Sequence, residues 1–231
     1  MKYISVIAVS IWMSLANCLV VADTVIDEKF TTSTLPDSWK IFGGAVETGG
    51  GMLLLKTEGR AIAASYYDHQ QQLNFARAPI EIELSNLDVK GTTASESGIF
   101  MLFLCDNIKN QLANTSIQLR IPRSGKITLT IYTMSVDGGA PSGKRVISTL
   151  ASLPISKLTL ALNSKMATLA FQDSSGTHTE SANWEQPFDP SIFDKPALYL
   201  QLHAVSKNDP GTTEVSLKHL KVISGVTTAK P

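Results

Sequence analysis

The stretch "PIEIELSNLDV", residues 79–89, places two carboxylates two residues apart. Side chains alternate between the faces of a β-strand, so Glu81 and Glu83 would share one face and the intervening isoleucines the other. The backbone separation of such a pair is about 6.5–7 Å, and glycosidases need two carboxyl groups about 5–5.5 Å or about 6.5–9.5 Å apart. Catalysis also needs a dry pocket that raises the pKa of one carboxyl group. The sequence indicates no such pocket, so it favours a solvated strand face, with a catalytic pair as the alternative.

Charge and motif content exclude several classes of function. The 231 residues include 20 basic and 20 acidic side chains, which leaves no basic footprint for binding nucleic acid or an anionic membrane. The four histidines lack metal-ligand spacing, and the sequence has no Gly-x-Ser-x-Gly motif, phosphate loop or dinucleotide fingerprint. We therefore predict no cofactor and no metal site. A structural calcium ion in an Asp-bearing loop, "CDN" or "KNDPG", is left open.

The first 22 residues have the layout of a secretory signal peptide. They begin with one lysine, continue as an apolar run and reach a small residue at Ala22. We predict cleavage there, export to the medium, the periplasm or the cell surface, and no membrane attachment afterwards. An uncleaved anchor and lipid attachment at Cys18 are the alternatives. Cleavage would leave a single cysteine, Cys105, which the apolar stretch "GIFMLFLC" predicts to be a small core side chain.

Nearly every apolar segment after residue 23 has the length and period of a strand. "SIQLRIP" and "KITLTIY" predict one hairpin, and "KLTLAL" and "KMATLAF" predict a second. "SGIFMLFLC" predicts a central strand buried on both faces, and "ALYLQLHAV" and "EVSLKHLKVI" predict the closing strands. Helix is expected only as one turn near "DPSIF". We predict one all-β domain over residues 23–224, a two-sheet antiparallel β-sandwich or jelly roll, followed by a disordered tail at 225–231.

Several of these segments, in this order, carry a resemblance. "IDEKF" contains Phe30, a Pro-Asp-x-Trp turn ends at Trp39, and a glycine-rich corner leads into "MLLL". This opening resembles that of the concanavalin A-like lectin/glucanase jelly rolls, including laminin-G-like modules. The pair "IEIEL" and "SGIFMLF" and the two closing segments are similar to strands of secreted β-glucanases in that superfamily. The resemblance covers most of residues 26–223, implies that Trp39 is a core residue, and supports a fold more than an activity.

In that superfamily one sheet bends, and its concave face takes the ligand. We expect such a face to be lined by the outward positions of the predicted strands: Glu81, Glu83, Gln118, Arg120, Thr128, Thr130, Tyr132, Tyr199, Gln201 and His203. Sugars stack on aromatic rings while amide, carboxylate and guanidinium groups bind their hydroxyls. The predicted ligand-binding residues are Arg120, Tyr132, Trp184, Tyr199, Gln201 and His203. Trp184 is either an exposed platform or a structural residue, and the other positions have an ordinary polar sheet surface as their alternative.

The sequence departs from the catalytic members of the superfamily. Retaining β-glucanases with this fold carry Glu-x-Asp-x-x-Glu or Glu-x-Asp-x-Glu on one strand, and neither pattern occurs here. "ESGIFMLF" is similar to the Asn-Ser-Gly-Ile strand of the keto-disaccharide hydrolases, with Glu96 in place of the Asn. Glu81, Glu83 and Glu96 are therefore the candidates for an acid or base, without a catalytic motif.

We interpret the chain as a secreted, lectin-like carbohydrate-binding module without catalysis. Its expected partner is a poly- or oligosaccharide, or a cell-surface molecule. A secreted glycan-degrading hydrolase or lyase of the same fold is the first alternative. A structural or adhesion module is the second.

Overall fold

The computed structural model describes residues 22–59, 62–67, 73, 75, 78–105, 116–133, 142–184, 199–206 and 209–225. Within these residues the regular structure is entirely β, which confirms the predicted fold class. The strands are β1 (Asp23–Glu28), β2 (Trp39–Phe42), β3 (Ala45–Gly49), β4 (Met52–Glu58), β5 (Ile62–Tyr67), β6 (Ile80–Gly91), β7 (Gly98–Cys105), β8 (Ser116–Pro122), β9 (Lys126–Thr133), β10 (Ser142–Leu150), β11 (Ile155–Leu162), β12 (Met166–Asp173), β13 (Gly176–Asn183), β14 (Tyr199–Ser206), β15 (Thr212–Leu217) and β16 (His219–Ser224).

Some sequence predictions fall outside the described residues. These are the signal peptide except Ala22, the turn near "DPSIF", the "CDN" loop beyond its cysteine, and the tail except Gly225. Nowhere in the described part of the chain does a helix reach the length and apolarity that crossing a bilayer requires.

The strands form two antiparallel sheets, as predicted for a jelly roll. A seven-stranded sheet has the order β10-β9-β8-β7-β14-β5-β2. A nine-stranded sheet has the order β13-β12-β11-β6-β15-β4-β3, with β16 also paired to β6 and β1 paired to β16. β7 lies in the middle of the seven-stranded sheet, and Phe100, Leu102 and Phe103 are all buried. The prediction of a central strand buried on both faces is confirmed.

The two sheets close over one apolar cluster. β6 contributes Ile80, Ile82 and Leu84 to it, whereas Glu81 and Glu83 between them stay partly exposed. Leu119 of β8 and Leu202 of β14 are among the residues that the seven-stranded sheet contributes. Alternating side chains thus bury one face of each sheet, and the second face of each remains available for polar side chains.

Both predicted hairpins form. Leu119 pairs with Leu129 across β8 and β9, and Leu160 pairs with Leu169 across β11 and β12. Each pair joins strands separated by a short polar turn, so the register follows from local sequence.

The prediction of one closing strand over "EVSLKHLKVI" is wrong, because this segment forms both β15 and β16. Lys218 separates them and donates its backbone N–H to the Ser85 carbonyl at 2.9 Å. β15 pairs with residues 88–91 of β6 and β16 with residues 80–85. Asn86, with φ of 54°, lies between the two paired parts of β6. A left-handed residue interrupts the alternation of a strand, so its partner cannot pair continuously past it.

Candidate functional site

Strand register gathers most of the predicted binding residues on the outer face of the seven-stranded sheet, the face turned away from the core. Directly opposed residues of antiparallel strands point to the same face. Arg120 opposes Thr128 on one side and Met101 on the other, and Met101 opposes His203. The outer face comprises Ile99, Met101, Phe103, Ser116, Gln118, Arg120, Thr128, Thr130, Tyr132, Arg145, Gln201 and His203. Tyr199 occupies the next position of this face by register, and its side chain lies outside the described part of the structure.

Burial divides this face into a covered half and an open half. Gln201 and His203 on β14 are 0% and 3% exposed. Arg120 and Tyr132, on β8 and β9, are partly exposed, and Arg145 on β10 is exposed. Ser116 and Gln118 on β8 are also buried. The open half, which a ligand can reach directly, therefore consists of Arg120, Lys126, Thr128, Thr130, Tyr132 and Arg145.

His203 is a neutral, hydrogen-bonded residue of the covered half. Its Nε2 lies 3.0 Å from Gln201 Oε1, and its ring lies 4.7 Å from that of Phe103, centroid to centroid. Burial lowers the pKa of His203 to about 4. Since a neutral imidazole carries one proton and the amide oxygen is an acceptor, the proton resides on Nε2. This nitrogen is consequently a donor to Gln201 rather than a free base.

The open half contains a pocket of about 130 Å³. Three cationic side chains line it: Arg120 from β8, Lys126 from β9 and Arg145 from β10. Thr128 adds a hydroxyl, and Glu96 is the one carboxylate among the lining residues that the structure describes. We call these five residues the basic pocket. The chain as a whole has equal numbers of basic and acidic side chains, so this local excess of positive charge belongs to the pocket.

A hydrogen-bonded loop between β6 and β7 holds Glu96 at the pocket. The N–H of Ser97 donates to the Ala94 carbonyl at 2.9 Å, and the N–H of Ala94 donates to Asp209 Oδ2 at 2.8 Å. The other oxygen of Asp209 accepts the N–H of Gly211 at 2.8 Å. These backbone hydrogen bonds lower the pKa of Asp209. The same loop accepts a hydrogen bond from Arg123, which donates to the Thr93 carbonyl.

Sequence analysis placed Glu81 and Glu83 on one face with these residues, and this grouping is wrong. Both belong to β6 in the nine-stranded sheet, whereas Glu96 lies at the seven-stranded sheet. Glu83 forms an ion pair with Lys157 at 3.1 Å. Burial, followed by the hydrogen bond to Glu83, raises the pKa of Glu81. Side-chain period assigns a residue to one of two faces of its own sheet, but it does not say which sheet the strand joins.

Trp184 is a core residue, and its alternative as an exposed platform is wrong. It is 7% exposed, its ring lies 6.3 Å from that of Phe75, and its Nε1–H donates to the Asn163 carbonyl at 2.7 Å. Trp39 is buried as the resemblance implied. The described residues thus present no tryptophan for sugar stacking on the outer face, and Tyr132 is the described aromatic residue in its open half.

A serine–histidine contact that the sequence did not indicate occurs at the β12–β13 turn. Ser175 Oγ lies 2.8 Å from His178 Nε2 and 2.6 Å from Asp173 Oδ1. In a catalytic triad the acid orients the histidine, whereas here Asp173 accepts from Ser175 and from the N–H of Ser152. Those hydrogen bonds, that from Ser175 first, lower the pKa of Asp173 to about 2. The arrangement closes the turn and presents no activated nucleophile.

Sequence reasoning placed Thr128 on the expected ligand face but did not select it as a binding residue, and it missed Lys126 and Arg145 altogether. Lys126 and Thr128 lie on the outward positions of "KITLTIY", so their period could have indicated them. Arg145 lies in "SGKRVISTL", whose apolar period is too weak to predict β10. Among the described residues no group of three or more His, Cys, Asp or Glu side chains is arranged to hold a metal ion.

No protein-family profile matches the chain, and no curated protein matches it in sequence. Solved structures do resemble it. Lectin II from Ulex europaeus is 11% identical with a TM-score of 0.57, over 89% of this chain and 99% of the lectin. SCLam, a non-specific endo-β-1,3(4)-glucanase from family GH16, is 14% identical with a TM-score of 0.55, over 89% of this chain and 92% of the enzyme.

A third similar structure is the CBM2 module of the evolved Dit protein of Lactobacillus casei BL23 phage J-1. It is 10% identical with a TM-score of 0.55, over 90% of this chain and 98% of the module. Identities this low show shared architecture and nothing about activity. The chain has the concanavalin A-like jelly-roll fold.

Proposed function

We propose that this protein binds carbohydrate on the outer face of its seven-stranded sheet, without catalysis. One observation carries the proposal: strand register places Arg120, Thr128 and Tyr132 on the open half of that face, with Arg120 opposite Thr128 and Tyr132 about 13 Å further along the same strand. The guanidinium and the hydroxyl supply hydrogen bonds to sugar hydroxyls, and the aromatic ring supplies a stacking surface for another part of an extended saccharide. The expected ligand is a poly- or oligosaccharide, free or as part of a cell surface.

The similar structures support the same direction. A lectin, a glucanase and a carbohydrate-binding module share the fold over nearly their whole lengths. The N-terminal segment supports export, because its first 22 residues have the layout of a signal peptide. An exported protein of this kind would meet its glycan outside the cytoplasm. Secretion, the periplasm and the cell surface all agree with this part of the proposal.

The positions of the candidate acids support binding rather than hydrolysis. A glycosidase that uses two carboxyl groups needs one on each side of the glycosidic bond, with the two groups about 5–9.5 Å apart. Among the described residues, Glu96 is the single acid that lines the basic pocket. Glu81 and Glu83 lie on the nine-stranded sheet, where Lys157 binds Glu83.

A glycan array with the purified protein tests the proposal. Each bound glycan is then incubated with the protein, and released reducing ends are measured. We expect binding without product. Product formation would favour the glycan-degrading alternative. If neither binding nor product were detected, a structural or adhesion module would be favoured.

Two substitutions locate the binding face. Thr128→Ala removes a hydroxyl from the outer face of the seven-stranded sheet, and Thr159→Ala removes one from the outward side of β11 in the nine-stranded sheet. Affinity for the bound glycan should fall about two- to tenfold in Thr128→Ala, as expected for one lost hydrogen bond, and stay unchanged in Thr159→Ala. Equal effects would contradict binding at this face.

A further inference from the structure

Within the described part of the structure, the basic pocket holds more positive than negative charge. Its described lining places Arg120, Lys126 and Arg145 around a single carboxylate, Glu96. Among the described residues, none of the three cations is within ion-pair distance of an acidic group, although Lys56, Lys90 and Lys157 elsewhere all are. Three like charges around one small space repel one another, and a bound anion relieves this repulsion.

The position of Arg120 adds to this argument. It lies within a strand, between Met101 and Thr128 on its neighbours, and not at a loop tip where an arginine extends freely into water. Packed stems fix the direction of a guanidinium, and a fixed guanidinium binds carboxylate or sulfate oxygens with two parallel hydrogen bonds. The chain therefore presents one oriented arginine with a second arginine and a lysine around it.

The size of the pocket indicates which part of a ligand it takes. Its volume of about 130 Å³ is below the roughly 300–1,000 Å³ of a typical small-molecule pocket. A single charged substituent on a sugar ring fits this space, while the rest of the saccharide lies along the open half of the outer face. Thr128 can bind a ring hydroxyl beside the charged group, since its hydroxyl lines the same pocket.

We infer that the ligand is an acidic glycan, and that the basic pocket binds the carboxylate or sulfate group of one of its sugar residues. This inference rests on the proposed function, because it assigns the glycan class to the same face. Arg120 and Arg145 bind the anionic oxygens, Lys126 adds a positive charge, and Glu96 restricts the site by repelling a second acidic group.

Three polysaccharides test the inference: a polyuronate, a sulfated glycan and a neutral glycan, titrated into the purified protein at low and at physiological salt. The acidic polymers should bind at least about tenfold more tightly than the neutral one, which is the worth of about one charge-assisted hydrogen bond. Added salt should weaken them. The tighter of the two acidic polymers identifies the group, carboxylate or sulfate.

Charge-removing variants assign the effect to the pocket. Arg120→Gln and Arg145→Gln should each reduce affinity for the preferred acidic polymer about tenfold or more. Affinity for the neutral glycan should stay unchanged in Arg145→Gln and fall by a smaller factor in Arg120→Gln, because that guanidinium also binds sugar hydroxyls. The matched control is Lys218→Gln, which removes one charge from an exposed turn of the nine-stranded sheet and should change neither affinity. Glu96→Gln should raise affinity for the acidic polymer about two- to fivefold, because a repulsive charge is removed.

A pocket with a merely structural role would not give the increase in affinity that we expect in Glu96→Gln. A duplex DNA of similar charge density is the further control, and equal binding of DNA would overturn glycan recognition by the pocket. Equal binding of neutral and acidic glycans would overturn this inference and leave the proposed function standing. Binding of none of the three polysaccharides would overturn both.

Discussion

The protonation of His203 should be measurable in the stability of the protein. Burial lowers the pKa of His203 from the ordinary 6.5 to about 4. Between pH 6.5 and pH 4 the imidazole is therefore protonated in the unfolded state and neutral in the folded state. The contribution of the neutral His203 to stability is complete above about pH 6.5 and is lost as the pH falls toward 4. We expect a loss of about 3 kcal/mol in unfolding free energy at pH 4 from this residue.

The measurement compares His203→Gln with the unmodified protein by urea unfolding at pH 7, 5.5 and 4. Glutamine is neutral throughout and can still hydrogen-bond to Gln201. Carboxylates with shifted pKa values, such as Asp209, contribute equally to both proteins, so they cancel in the difference. The stability advantage of the histidine protein should shrink with falling pH, and a difference that stays constant would refute burial of a neutral imidazole.

Trp184 carries a second prediction, which separates a core role from a ligand platform. Its ring packs near Phe75, and its N–H binds the Asn163 carbonyl. Trp184→Ala should lower the free energy of unfolding by about 3–5 kcal/mol, whereas Trp184→Phe, which loses the hydrogen bond and keeps a ring, should cost less. Urea unfolding measures both. If Trp184→Ala lowered the free energy of unfolding by less than about 1 kcal/mol and also weakened glycan binding, Trp184 would instead be an exposed platform for the ligand.

The sequence around Trp184 could not decide this question. Its neighbours in "SANWEQPFDP" are polar, whereas the ring it packs near belongs to Phe75, far away in the chain. Local composition reports the immediate neighbours of a side chain, and a long-range contact is fixed only by the arrangement of whole strands. Ile82 and Leu84, in contrast, were predictable because strand period alone determines their face.

At the scale of elements, the loop between β6 and β7 depends on a close approach of two backbones. At Gly91, where φ is +131°, an added Cβ would lie 1.9 Å from the Thr212 carbonyl oxygen. Gly176 has a similar φ of +128°, but nothing lies within 4 Å of its Cβ position. The two glycines form a matched pair that separates backbone strain from steric clash.

We expect Gly176→Ala to cost about 1–3 kcal/mol, the usual range for such a strained backbone, and Gly91→Ala to cost at least about 2 kcal/mol more, because the added methyl must displace Thr212. Thermal and urea unfolding provide the comparison. Equal costs for the two variants would show that Thr212 yields without penalty.

The elements themselves were predictable to different degrees. Short turns between apolar strands fixed the β8–β9 and β11–β12 hairpins. The edge strand β13, "GTHTESAN", has no apolar period because most of its side chains are exposed, so no pattern could indicate it. An edge strand needs polar side chains to avoid pairing with other molecules. For the same reason the pocket residue Arg145, on the edge strand β10, was not anticipated.

At the scale of the whole molecule, the two sheets present outward faces of different chemistry. The seven-stranded sheet carries the basic pocket, Tyr132 and the covered Gln201 and His203. The nine-stranded sheet carries Glu81 and Glu83, with lysines on neighbouring strands. An acidic ligand should therefore favour the first face, because positive charge is in excess there and is balanced by carboxylates on the second.

The double substitution Glu81→Gln with Glu83→Gln tests this division between the sheets. Glycan affinity should stay unchanged, because neither residue lies on the binding face, whereas Tyr132→Ala should weaken it by about 0.5–1.5 kcal/mol, the worth of a lost aromatic contact. Stability should change little. The partly exposed Glu83–Lys157 pair contributes at most about 1 kcal/mol, and glutamine at position 81 removes a carboxyl group whose ionisation is disfavoured by burial. Titration calorimetry and urea unfolding measure the two quantities, and a reducing-end assay accompanies them. If the double variant no longer bound the glycan, the ligand would instead lie on the nine-stranded sheet. If the unmodified protein released product and the double variant did not, Glu81 and Glu83 would again be candidates for an acid and a base.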